Sequence, residues 1–100
     1  MAKHSVSQEA LLDIEEFWQY LIRVNGVRVA DEFLESIYSK FFYLGEFPSL
    51  GRARPEIEAG IHSLPDVKYR RTIFYLKTSA GVRIIRVLGG YQDHERHLNQ

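Results

Sequence analysis

Three pairs of arginines in the second half of the chain are the residues whose type and spacing suit chemistry. The pairs are Arg52 with Arg54, Arg70 with Arg71, and Arg83 with Arg86. A guanidinium group donates paired hydrogen bonds to a phosphate or a carboxylate. Beside the ring of Tyr75, such groups suit an RNA backbone with stacked bases, and they equally suit an acidic protein surface. The structural alternative for each arginine is an ion pair with acids of a neighbouring element.

A catalytic set is not evident in the sequence. The chain has no cysteine nucleophile, no glycine-rich phosphate loop and no His-Glu-x-x-His pattern. His94 and His97, with Asp93, have the spacing of a metal site, but their place near the chain end favours a solvated tail. Glu15 and Glu16 are adjacent and therefore point apart on a helix. We therefore expect no metal, no cofactor and no catalytic residue.

Composition and charge limit the classes of protein that fit. The 100 residues predict a single domain spanning 1–100, with 45% hydrophobic residues and no cysteines, which suits the reducing cytoplasm. No apolar run approaches the roughly 20 residues of a membrane helix, and no secretory signal is evident. Residues 1–50 carry four Lys/Arg against eight Asp/Glu, whereas residues 51–100 carry nine against five. This asymmetry favours a charged partner, or two halves that neutralise each other across the fold.

Two amphipathic helices account for the first half. Apolar residues recur at steps of three and four from about residue 8 to residue 24, behind the N-cap residue Ser7, and the pattern ends at Asn25-Gly26. A second helical pattern runs from Ala30 to Leu44 and is stopped by Gly45 and Pro48. The short link between them predicts an antiparallel helical hairpin.

The period then changes from 3.6 to 2. Segments GIHSLP and KYRRTIFYLK predict strands, and VRIIRVLGG predicts a central strand that returns after the hairpin loop TSAG. With a short first strand in KHSVS, the fold class is α+β of order β-α-α-β-β-β, a helical hairpin on a small antiparallel sheet. If the helices cover one face, we expect the other face to present Arg71 and Arg86 beside Tyr75.

The helices hold more aromatic rings than one apolar stripe needs. Each ring has two interpretations: it belongs to the core, or it lines a groove into which a disordered partner segment folds. The candidates for the groove are Phe17, Tyr20, Tyr38 and Phe42.

The stretch FPSLGRARPEI, residues 47–57, predicts an ordered loop that joins the helices to the sheet. Pro48 ends the helix, Leu50 and Ile57 are expected to fix the loop on the core, and Gly51 allows a sharp turn. Pro55 stiffens the exit, and Arg52 and Arg54 are expected to bind helix carbonyls or acids.

The order of four motifs resembles the ParE toxins of the ParE/RelE superfamily over about residues 6–95. These motifs are EALLDIEEFWQYL, FPSLGRARPEI, GIHSLPDVKYRRTIFYL and VRIIRVLGGYQD. The resemblance implies a type II toxin that inhibits bacterial DNA gyrase by binding it, and that a cognate ParD-like antitoxin neutralises. On this basis the target-binding candidates are Arg71, Arg86, Tyr91 and Arg96, with no sequence-specific nucleic-acid binding and no membrane partner.

Two departures from the superfamily leave alternatives open. Gly89-Gly90 stands where the family often has a histidine before the second glycine, and the Lys/Arg cluster followed by tyrosine of the RNA-cleaving RelE branch is missing. The alternatives are a ribosome-dependent ribonuclease that uses Arg71, Arg86 and Tyr91 with His94 or His97, and an interaction module that has lost toxicity.

Overall fold

The computed structural model describes residues 2–89. The elements are β1 (His4–Val6), α1 (Gln8–Asn25), α2 (Val27–Glu46), β2 (Arg52–Ala53), β3 (Ile61–Asp66), β4 (Arg71–Lys77) and β5 (Val82–Gly89). The predicted order of one strand, two helices and three strands is confirmed, with β2 as an additional short strand.

Local sequence signals set the limits of the helical hairpin. The Ser7 hydroxyl accepts a hydrogen bond from the amide of Ala10 and so caps α1. Gly26, at φ +93°, ends α1 and begins α2, and its amide donates to the carbonyls of Leu21 and Ile22. A residue with a side chain would be strained at this φ, which explains the glycine. The prediction that the first helix ends at Asn25-Gly26 is confirmed.

The sheet has the order β1-β5-β4-β3-β2. β5 lies centrally as predicted, but β1 runs parallel to it, so the expectation of a wholly antiparallel sheet is wrong. The two helices form a long connection after β1, and a parallel neighbour requires a connection of that kind. The expectation that residues 47–57 contain no strand is also wrong, because Arg52 and Ala53 pair with Ser63 and His62 of β3.

Both faces of the sheet are apolar. On the helix side, Ile73 and Tyr75 of β4 pack in one cluster with the buried side chains of α1 and α2. On the opposite side, Phe74 and Leu88 pack with Ile57 of the loop. The predicted alternation along β4 is therefore confirmed, and the helices cover the face that carries Ile73 and Tyr75.

A β-bulge interrupts the pairing of β4 with β5. Phe74 pairs with Arg86, whereas Tyr75 pairs with Ile84, so Ile85 is the additional residue. Two side chains of the N-terminal half of the helical hairpin bind here: the Ser7 hydroxyl donates to the Ile85 carbonyl, and Asp13 accepts from the Val87 amide. The bulge thus places the end of β5 against α1.

Candidate functional site

An open cleft lies where α1 meets the ends of β4 and β5. Its cavity volume is about 320 Å³. We call it the arginine cleft, and its lining residues are Asp13, Glu16, Phe17, Tyr20, Arg71, Arg86, Val87, Leu88 and Gly89. It brings together two of the sequence-derived candidates for target binding and two of those for antitoxin binding.

Arg86 is held by the carboxylate of Asp13 at two points. Its Nε donates to Oδ2 at 2.8 Å and its Nη2 donates to Oδ1 at 2.9 Å. This hydrogen-bonded pair raises the pKa of Arg86, with smaller contributions from the charges of Glu9 and Glu16. Of the two interpretations of Arg86, the structure therefore confirms the ion pair with an acid of the helices.

Arg71 lies over an aromatic ring. Its guanidinium carbon is 4.0 Å from the centroid of Phe17, within the range of a cation–π interaction. Its Nε donates to the carbonyl of Arg70, whose backbone has φ +55°. Gly89 is paired with Arg71 across the strands, and a Cβ at Gly89 would collide with the guanidinium group. The glycine thus makes the room in which this arginine lies.

The expectation that Arg71 and Arg86 share an uncovered face with Tyr75 is wrong. Tyr75 is fully buried in the helix-side cluster, and both guanidinium groups contact α1. The helices cover the side of β4 that carries Arg71, so the arginines reach solvent only at the margin of the helical layer. Tyr91 and Arg96 lie outside the described residues.

The four antitoxin-binding candidates do not line a single cleft. The rings of Phe17 and Tyr20 stack at 5.8 Å between centroids and line the arginine cleft. Tyr38 and Phe42 are exposed on α2 and do not line the arginine cleft. Tyr20, Tyr38 and Phe42 are all exposed and so lie outside the core, although Tyr38 flanks it by packing edge-on against the buried Phe41. Phe17 is half-buried and packs edge-on against Phe33.

Hydrogen bonds fix the loop that follows α2. The Tyr75 hydroxyl donates to the carbonyl of Pro48 at 2.8 Å and accepts from the amide of Gly51 at 2.9 Å. Burial raises the pKa of Tyr75 above its ordinary value of 10.0. A Cβ at Gly51 would collide with this hydroxyl and with the carbonyl of Ser63, so close approach is the reason for a glycine here.

The apolar side chains of the loop behave differently from one another. Ile57 is buried as expected, but the expectation that Leu50 packs on the core is wrong, because 54% of this residue is exposed. Phe47 is likewise exposed at 62%. The loop is held to the sheet by the hydrogen bonds of the Tyr75 hydroxyl, and not by Leu50 as the sequence predicted.

Arg54 fixes the C-terminal part of the loop. It is buried, its Nη1 donates to the Ser63 hydroxyl at 3.1 Å, and its Nε pairs with the carboxylate of Glu56. The hydrogen bond from Arg54 is the largest cause that lowers the pKa of Glu56. The expected binding of an acid is observed for Arg54, while Arg52 is exposed on β2.

The helical pattern indicated that Asp13 lies on the polar side of α1 with Glu15 and Glu16, which is wrong because Asp13 faces β5, and Asp66 was missed. Asp13 lies three residues after Ala10 and four before Phe17, so it is an acid on the buried stripe of α1, which was a readable signal. Asp66 is buried at the end of β3, where it accepts from the Ser36 hydroxyl at 2.9 Å and lies 3.4 Å from Lys40 Nζ. It ties α2 to the sheet, and nothing in its local sequence indicates this role.

Residues 2–89 contain neither a metal-binding cluster nor a membrane-spanning helix. In this part of the chain, no group of three or more His, Cys, Asp or Glu side chains could hold a metal ion. None of the helices described here is long and apolar enough to cross a bilayer.

Comparison with known proteins assigns the family. The family model for the ParE toxin of the type II toxin-antitoxin system parDE matches residues 5–94. Toxin ParE3 of Caulobacter vibrioides is 31% identical over 78 residues, which are 78% of this chain and 76% of that toxin. Toxin ParE1 of Mycobacterium tuberculosis is 29% identical over 98 residues, covering 97% of this chain and 98% of the relative.

A solved structure described as a chromosomal ParDE TA system from P. aeruginosa has a similar fold. The two chains superpose with a TM-score of 0.77 at 15% sequence identity. The superposition covers 88% of this chain and 95% of the chain in that structure. The chain therefore belongs to the ParE toxin family of type II toxin-antitoxin systems.

Proposed function

We propose that this toxin inhibits bacterial DNA gyrase by binding it, without breaking a covalent bond in its target. The observation that carries the proposal is the state of Arg86, whose charge is matched by Asp13 through two hydrogen bonds. Arg71 is held over the ring of Phe17 beside it. Both arginines are fixed in position, which suits a rigid binding surface.

Cleavage of RNA would make different demands on this cleft. A group must take the proton of the 2′-hydroxyl, another must protonate the leaving oxygen, and a cation must stabilise the phosphate. Among residues 2–89, those that line the cleft include no histidine, and Arg86 is already bound to a carboxylate. The double hydrogen bond that Asp13 makes to Arg86 supports binding over cleavage.

We propose further that an antitoxin of the ParD kind neutralises the toxin. Tyr38 and Phe42 support this, because they are exposed four residues apart on α2, and neighbouring large apolar groups on a surface mark sites of protein interaction. Family membership supports it as well. Both partners place the toxin in the cytoplasm, and the proposed activity needs no cofactor.

A supercoiling assay with purified gyrase tests the proposal. We expect the protein to inhibit supercoiling or to stabilise a cleavage complex at micromolar concentration. Tyr20→Ala and Arg71→Gln should weaken inhibition, while Arg83→Gln is the matched control, since Arg83 is exposed on β5 and does not line the cleft. No effect of the wild-type protein on gyrase would refute the assignment of the target.

Translating extracts test the ribonuclease alternative. Cuts in mRNA at defined codon positions that Arg86→Ala abolishes would replace the binding mechanism by a catalytic one. Induction in cells without the adjacent gene tests toxicity itself, and normal growth with folded, soluble protein would identify an interaction module.

A further inference from the structure

The turn between β3 and β4 contains a backbone conformation that residues with a side chain rarely adopt. Arg70, the last residue of this turn, has φ +55°, and among residues 2–89 it is the only residue other than glycine with a positive φ. Its amide donates to the Val67 carbonyl at 3.3 Å, directly before β4 begins. Glycine and asparagine adopt this conformation at lower cost, because the Cβ of other residues crowds the following carbonyl. The chain therefore has an arginine where a smaller residue would be more stable.

The turn explains the backbone of Arg70 but not its side chain. A left-handed residue commonly ends a hairpin loop, so the φ follows from the connection between the two strands. The side chain is exposed, and within the described part of the chain its guanidinium group has no hydrogen bond, ion pair or ring contact. Nothing in the fold of residues 2–89 thus requires an arginine here.

The residues on both sides of Arg70 are fixed to the helical layer. Tyr69 packs edge-on against the buried ring of Phe33, with 5.3 Å between centroids. Arg71 lies over Phe17, and its Nε donates to the Arg70 carbonyl at 3.1 Å. The free guanidinium group of Arg70 therefore extends from a backbone that is held in place, and little conformational freedom of that backbone is left to lose on binding.

The position of Arg70 beside the arginine cleft limits the anion that it can bind. Arg71 lines the cleft, and so do the carboxylates of Asp13 and Glu16. Asp13 is matched by Arg86, whereas Glu16 is exposed. A row of phosphates passing along the cleft would meet the negative charge of Glu16, but a single carboxylate can reach Arg70 without doing so. The charges thus favour an acidic side chain over a nucleic-acid backbone.

We propose that Arg70 is a target-contact residue of this toxin and that it binds a carboxylate on the protein surface of gyrase. The inference rests on the function proposed above and adds to it a residue and the chemistry of its partner. A guanidinium group donates two parallel hydrogen bonds to a carboxylate, which gives direction as well as charge to the contact. Residues in sparsely populated backbone conformations cluster at functional sites, where the protein retains them at a cost in stability.

Two variants of Arg70 separate its role in binding from its role in the fold. Arg70→Gly suits the left-handed backbone, so its melting temperature should rise by about 2–5 °C. The concentration of this variant that half-inhibits supercoiling by the gyrase holoenzyme should nevertheless increase about fivefold or more. Arg70→Asp, whose side chain also tolerates this backbone, should weaken inhibition further because it repels the carboxylate. Arg83→Gln is the matched control, since it removes an exposed arginine that does not line the cleft, and it should inhibit like the wild type.

Binding to gyrase without DNA, measured by surface plasmon resonance, tests the chemistry of the partner. The wild-type toxin should bind DNA-free gyrase, and Arg70→Gly should weaken this binding by the same factor as it weakens inhibition. The affinity of the wild type should also fall more steeply with salt than that of Arg70→Gly, because one charge pair is lost in the variant.

The outcomes separate this inference from the proposed function. If the wild-type toxin neither binds nor inhibits gyrase, the proposed function fails and the inference falls with it. If the wild type inhibits gyrase and Arg70→Gly inhibits it equally well, the proposed function stands and Arg70 is not a contact. If Arg70→Gly weakens inhibition but binds DNA-free gyrase like the wild type, the partner is a phosphate, and the inference is overturned. A lower melting temperature of Arg70→Gly would also overturn it, since the side chain would then support the fold.

Discussion

Asp13 of α1 and Arg86 of β5 are 73 residues apart in sequence and share two hydrogen bonds of 2.8 and 2.9 Å. Asp13 also accepts the Val87 amide at 3.0 Å, directly after the β-bulge. One carboxylate thus joins the first helix to the central strand and neutralises an arginine of the cleft. The pair stabilises the fold and at the same time shapes the candidate site.

Replacing Asp13 should be costly for stability. Asp13→Asn removes the charge that balances Arg86, whose side chain is only 23% exposed, and we expect a loss of about 2–4 kcal/mol in the free energy of unfolding. Urea denaturation measures it. Glu15→Gln, on the exposed side of the same helix, should change stability by less than about 0.5 kcal/mol. If Arg86→Gln costs as much in the Asp13→Asn protein as in the wild type, the two side chains are not coupled.

The free energy of unfolding should fall at alkaline pH because Tyr75 ionises. Burial raises its pKa above 10.0, so the folded state favours the neutral phenol. The resulting stability is fully present below pH 10.0 and is lost as the pH rises through the higher, folded-state pKa. Unfolding measured by guanidinium between pH 8 and 11 should show a steeper decline for the wild type than for Tyr75→Phe.

Tyr75→Phe should also cost stability at neutral pH. It leaves the Gly51 amide and the Pro48 carbonyl without the partner that the hydroxyl supplies. We expect a loss of about 1–3 kcal/mol, since both groups are partly buried. Faster hydrogen exchange of the Gly51 amide would locate the change, and an unaltered exchange rate there would contradict it.

The ion pair of the loop should be visible in an acid titration. The hydrogen bond from Arg54 lowers the pKa of Glu56 below its ordinary value of 4.5. The associated stability is present above pH 4.5 and is lost as the pH falls through the lower, folded-state pKa. In Arg54→Gln, the titration of the Glu56 carboxylate, followed by NMR, should move up toward 4.5. An unchanged midpoint would mean that Arg54 is not the cause.

A methyl group at residue 89 should displace Arg71 without unfolding the protein. The Cβ in Gly89→Ala would meet the guanidinium group of Arg71, so this side chain must leave its position on Phe17. Loss of a cation–π contact worth about 0.5–1 kcal/mol should raise the protein concentration that half-inhibits gyrase by roughly two- to fivefold. The melting temperature should change little. Arg71→Gln should have no further effect in this background, and an additive effect would place Arg71 elsewhere during binding.

Periodicity in the sequence determined the elements of this protein. The spacing of apolar residues predicted both helices, and alternation along residues 71–77 predicted which side chains of β4 share a face. The resemblance to ParE toxins then implied the family, which comparison with known proteins confirms. Local patterns sufficed because helix and strand periods reflect contacts between near neighbours.

The tertiary structure alone decided which face of the sheet the helices cover, and hence where the arginines lie. Both faces of β4 and β5 are apolar, so alternation could not select between them. It also decided that Phe17 and Tyr20 meet Arg71 and Arg86 in one cleft, while Leu50 stays exposed. These arrangements depend on a bulge and on a carboxylate that bridges residues far apart in the chain. The partners of such a contact never fall within one short stretch of sequence, so a local pattern cannot reveal it.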